Sequence, residues 1–132
     1  MSVDGELHAN LMAKVKLISD VTFLWPGKGG SEPSGEYVRV SHAPNDNQRT
    51  MQSSVAPLKR QGFLILVLCS PFGEHEAVLR ERAGNIAGGL PIGTQVLLTT
   101  GSVEIVNYSI KPGRRENRHW ETPIWIEYRG YA

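Results

Sequence analysis

The stretch Gly62-Phe63-Leu64-Ile65-Leu66-Val67-Leu68-Cys69-Ser70-Pro71-Phe72-Gly73 carries the most structural information in this chain. Seven consecutive apolar residues, Phe63 to Cys69, stand between a glycine and a Ser-Pro stop. A strand sends alternate side chains to opposite faces, so this one is apolar on both, the mark of a central strand. The chain's own helices can cover one face. The second face points to a subunit that hides surface against copies of itself. The run is also far shorter than the roughly 20 residues that cross a bilayer, so no membrane partner is expected.

Upstream, Val3, Leu7, Leu11, Val15 and Ile18 recur every three or four residues. This predicts a helix over 3–19 with one apolar stripe, Ser2 or Asp4 as its cap, and lysines at its negative pole. Val21 to Trp25 is a short apolar patch before a Pro/Gly-rich loop at 26–35, and Tyr37 to Ser41 reads as a strand. Residues 42–58 are polar and aperiodic, which suggests a binding loop or a segment disordered until bound. Downstream, a second helix is expected over 74–88. Its stripe is Phe72, Leu79, Ala83, Ile86 and Leu90, and Gly88-Gly89 and Pro91 end it. Thr94 to Thr100 and Val103 to Ile110 read as a hairpin turning at Gly101-Ser102. Trp120 to Tyr128 reads as a last strand, with Pro123 predicting an edge position. The order gives an α+β fold: a mostly antiparallel or mixed sheet with two α-helices packed on one face, in a single domain over 1–132.

Composition narrows the function classes. With 14 Lys and Arg against 13 Asp and Glu, the net charge is +1, which gives no bulk attraction to nucleic acid. One cysteine, Cys69, cannot form an internal disulfide, and inside an apolar run it reads as a small hydrophobe; this fits a reducing compartment. The acidic, polar N-terminus does not resemble a signal peptide.

No residue pattern spells out a reaction. Glu74, His75 and Glu76 are consecutive on a helix and point about 100° apart, so they cannot converge on a metal. There is no Gly-x-Ser-x-Gly elbow, and the glycines at 27–30 do not match a phosphate loop. No catalytic, cofactor-binding or metal-binding residue is therefore assigned. The one basic cluster is Lys111, Arg114, Arg115, Arg118 and His119, which reads as a solvated turn or a partner contact; direct nucleic-acid contact is the further alternative. Trp125 lies on the strand face opposite Ile124 and Ile126, so a helix or a neighbouring subunit must cover it. Candidate interface residues are Arg49, Met51 and Gln52 in the long loop, Arg114, Arg115 and Arg118 in the turn, and Trp125.

Several phrases resemble the tail terminator (tail completion) proteins of long-tailed, siphovirus-type bacteriophages. They are Trp25-Pro26, Gly35-Glu36-Tyr37-Val38-Arg39-Val40, Arg60-Gln61-Gly62-Phe63, Pro71-Phe72-Gly73 and Trp120-Glu121-Thr122-Pro123-Ile124, ending at Tyr128. The similarity runs over roughly residues 5 to 130 and rests on packing and turn residues. What it implies is a virion structural protein assembled in the host cytoplasm, with no enzymatic activity. Such a protein forms a hexameric ring at the neck, caps the tail tube protein and ends its polymerisation. The ring offers a docking surface to the head-tail connector or stopper, and DNA passes through without specific binding. Another neck ring, such as a stopper, is the nearest alternative.

Overall fold

A computed structural model describes residues 2–27, 33, 35–45, 48–49, 58–73, 75–116 and 119–132. Helix α1 spans Val3–Lys16, followed by strands β1 (Phe23–Leu24), β2 (Tyr37–Pro44), β3 (Gln48–Arg49) and β4 (Leu58–Ser70). Helix α2 spans Glu76–Gly88, and strands β5 (Gln95–Leu98), β6 (Gly101–Ile110), β7 (Arg114–Arg115) and β8 (Trp120–Tyr131) complete the order. The Ser2 hydroxyl accepts the Gly5 N–H at 3.1 Å and caps α1.

All the strands join one sheet in the order β1-β2-β4-β8-β6-β5, with β3 beside β4 and β7 beside β8. Every pairing is antiparallel except that of β1 with β2, so the fold is α+β as expected. The long apolar strand β4 is central, with β2 on one side and β8 on the other. Leu64, Leu66 and Leu68 on one face join Leu7, Leu11 and Val15 of α1 and Ala83, Ile86 and Ala87 of α2 in the main core. Ile124, Ile126 and Tyr128 of β8 continue it. Both helices therefore lie on the same face. Among the described residues, the other face has a small second cluster of Tyr37, Val67 and Cys69, with Leu24 and Ile65 packed beside it.

Four sequence expectations need correction. Phe72 is not on the buried stripe of α2; it is 45% exposed, because the helix starts at Glu76, beyond the Pro71–Gly73 turn. The hairpin turns at Thr99-Thr100, since Leu98 pairs with Gly101. Two contacts explain the shift. The Glu6 carboxylate accepts the Thr99 N–H at 2.8 Å and its hydroxyl at 2.7 Å, holding the turn from α1. Gly101 meanwhile meets the chain end, where an added Cβ would lie 2.0 Å from the Tyr131 carbonyl oxygen. The long loop is shorter than read: β2 runs on to Pro44, and Gln48–Arg49 return to pair with β4. Finally, β8 is not an edge at Pro123, since it pairs with both β4 and β6. The Pro123 carbonyl accepts the Lys111 N–H at 2.8 Å. A residue's N and C=O point to the same side of a strand, so the missing donor faces Lys111, just past the end of β6, where pairing passes to β7.

Candidate interaction surface

Directly opposed residues share a sheet face, so the register maps the side that carries no helix among the described residues. Successive rows across β6, β8, β4 and β2 read Ser109–Trp125–Ile65–Ser41 and Asn107–Glu127–Phe63–Ala43. A further row runs Leu97–Ser102–Tyr131–Lys59. Phe63, Ile65 and Trp125 are half-buried, whereas Leu97 is 70% and Tyr131 52% exposed. Phe63 and Trp125 meet edge to face at 5.1 Å, and the Lys111 ammonium stands 5.4 Å above the Trp125 ring. On the opposite face, in the row of Ser70 and Trp120, the Arg115 guanidinium lies 4.6 Å over the exposed Phe72 ring. Trp125 is thus sheltered on its flanks by its own chain rather than by a helix. An aromatic pair with an ammonium over one ring, beside exposed Leu97 and Tyr131 on the same face, has the composition of a protein-protein contact.

One end of this face is closed by a buried ion-pair hub. Glu121 is 3% exposed, and its carboxylate accepts Arg39 at 3.0 and 3.3 Å, Arg114 at 3.2 and 2.9 Å, and His119 Nε2 at 2.8 Å. Burial alone would push its pKa up; the donors from Arg39, His119 and Arg114 outweigh that and hold it down at about 2. The hub ties β2, β7 and β8 together. Cys69, His119 and Glu121 place three ligand atoms within 4.8 Å of one another, a spacing a metal could use. Yet both carboxylate oxygens already accept guanidinium N–H groups, and a dication would face two fixed positive charges. The arrangement is a salt-bridge hub. Although no basic residue neighbours Cys69 in sequence, Arg39 Nη1 stands 4.0 Å from its sulfur.

A second polar group pins α1 to the sheet. His8 Nδ1 lies 3.1 Å from His42 Nδ1, and His42 Nε2 lies 2.7 Å from the Tyr128 hydroxyl. Burial, and then the nearby His8 charge, lower the His42 pKa to about 4. Burial, with Asp4 adding to it, raises that of Tyr128 to about 12. The buried Arg60 pairs with Asp4 and donates its Nε–H to the Ala132 carbonyl at 3.3 Å.

The expected interface residues therefore divide. Trp125 lies on the helix-free face, whereas Arg115, opposite Trp120, shares the face of Ile124 and Ile126. Arg114 is partly exposed, but its guanidinium is engaged by Glu121 and Glu116. Arg49 is placed by its backbone pairing with Leu58. Met51, Gln52 and Arg118 lie outside the described residues. Phe63, Tyr131 and Leu97 were not singled out from sequence; the cross-strand register, which no local pattern encodes, brings them to one face.

The fold defines a small α+β protein with one helix-bearing sheet face and one without a helix among the described residues. The family model for the phage tail terminator protein matches residues 5–128. The chain belongs to the phage tail terminator family and is a structural protein of the phage tail. A search of curated proteins finds no match. Among solved structures, one that carries no functional name superposes with a TM-score of 0.74 at 15% identity, covering 98% of this chain and 96% of its own. Another belongs to the virion of a native gene transfer agent (GTA) particle, with a TM-score of 0.56 at 13% identity, covering 99% of this chain and 98% of its own. Both are similar in fold.

Proposed function

We propose that this chain forms a hexameric ring on the last layer of a siphovirus-type tail tube, stops tube polymerisation, and presents the docking surface for the head-tail connector. The observation that carries the reading is the helix-free sheet face with Phe63, Ile65 and Trp125 at its centre. A lone subunit leaves this apolar strip half in water, and burial removes about 25 cal/mol of unfavourable free energy per Å² covered. Family membership and the likeness to a virion component support a place at the tail.

The mechanism is geometric and involves no catalysis. One end of the ring matches the tube and takes up its last free binding sites; the other end offers the connector a different surface. A ring of identical copies in head-to-tail contact closes when the rotation per copy divides a full turn. Assembly takes place in the host cytoplasm. DNA crosses the lumen without specific binding, a reading supported by the net charge of +1. The test is electron microscopy of particles made without this protein. Tails of unregulated length and unattached heads are expected, and normal head-joined tails would overturn the reading.

A further inference from the structure

Among the described residues the sheet is open at both sides, and the two openings lie at the same level. On one side, β1 pairs β2 only at Val38 and Arg39, leaving 40–44 with no outer neighbour among the described residues. On the other, β5 pairs β6 over Gly101 to Glu104, and Ile105 exchanges bonds with Gly93 and Thr94 at 2.8 and 2.9 Å; beyond it, 106–110 has no outer neighbour among the described residues. The rows Ala43–Phe63–Glu127–Asn107 and Ser41–Ile65–Trp125–Ser109 link the two openings straight across the sheet.

Bond direction is fixed on each side. The Lys111 N–H points at Pro123 of β8, so by alternation Tyr108 and Ile110 turn their N–H and C=O outward. The Val38 N–H points at Thr22, so His42 likewise faces outward. Pro44 limits that side, since it has a carbonyl but no N–H to offer. Edges of this kind are templates for another strand. Moreover, β2 and β6 run in opposite directions: each step β2-β4-β8-β6 is antiparallel, and three reversals separate them.

We propose that each copy pairs the 106–110 edge of its β6, antiparallel, with the 40–44 edge of β2 from the next copy, so that one continuous sheet runs around the ring. The inference rests on the ring reading and names the contact that closes it. The contact is heterologous, one edge being unlike the other, and copies related by rotation about an axis along the strands present those edges to each other in the required antiparallel sense. Closure removes both edges, which is how barrels avoid open-ended aggregation.

The test uses the full chain, assembled on tails and in free solution. Ser41, Ala43, Asn107 and Ser109 lie on the helix-free face at the two edges. The four double variants that combine Ser41→Cys or Ala43→Cys with Asn107→Cys or Ser109→Cys should, for at least one pair, give an oxidised ladder ending at a covalent hexamer. Tyr108→Pro removes an outward N–H while leaving the ladder to β8 intact. It should melt within a few degrees of wild type yet fail to assemble, while Tyr108→Phe assembles normally. Rings that form with no cross-link from any pair, and with Tyr108→Pro assembling like wild type, would overturn the strand pairing and leave the ring standing. No ring on tails or in solution would overturn both.

Discussion

At the scale of single residues, Glu121 and His42 set the response to acid. Glu121 has a folded pKa of about 2 against an ordinary 4.5, so its contribution is present above pH 4.5 and is lost as pH falls toward 2. His42 has a folded pKa of about 4 against 6.5, so the fold favours its neutral form, and its contribution is lost as pH falls from 6.5 toward 4. Thermal melts against pH should show two falling limbs in these windows. The His42 limb is worth on the order of 1–2 kcal/mol, because the ring is half in solvent. His8→Gln removes the like charge and should shrink that limb while leaving the Glu121 limb in place. Glu121→Gln strands two arginines beside a neutral amide and should cost about 3 kcal/mol in urea titration. None of this pairing was legible in sequence. Arg39 and Glu121 are 82 positions apart, and what joins them is the register of β2, β4 and β8.

At the scale of elements, β4 explains what could be read and what could not. Its apolar run predicts a central strand, and its leucines are buried under both helices. The helix stripes were equally legible, because Leu7, Leu11, Val15, Leu79, Ala83 and Ile86 keep a local period that packing preserves. The turn was misplaced because glycine answers two different needs. Gly101 gives room to the Tyr131 backbone rather than bending the chain, and Thr99 turns because Glu6 holds it. Pro123 misled in the same way: proline excludes a donor at one point, and the pairing hand-over from β6 to β7 leaves that point without need of one. Gly62 tests this view of glycine. An added Cβ would meet the Tyr128 hydroxyl at 2.6 Å and the Ala43 carbonyl oxygen at 2.8 Å. Gly62→Ala should therefore lower stability by about 2 kcal/mol, read by chemical denaturation, by forcing β2 and β8 away from β4. Leu66→Ala, a cavity at the centre of the same strand, should cost about 3 kcal/mol.

At the scale of the whole molecule, the two faces of the sheet have different roles. The helix side carries the main core; the proposed ring assigns the helix-free side and the open edges to neighbours. Trp125→Ala separates these roles, since its ring is half-buried and touches Phe63 and Lys111 rather than the main core. The variant should melt close to wild type and yet assemble at least tenfold more weakly in sedimentation. A matching loss of stability would place Trp125 in the fold instead. The most direct measurement is a cryo-EM reconstruction of the intact neck. A sixfold ring of this chain between the last tube layer and the head connector, with β6 of each copy beside β2 of the next, is the predicted result. Density showing the chain as a lone subunit, or absent from that junction, would contradict the account.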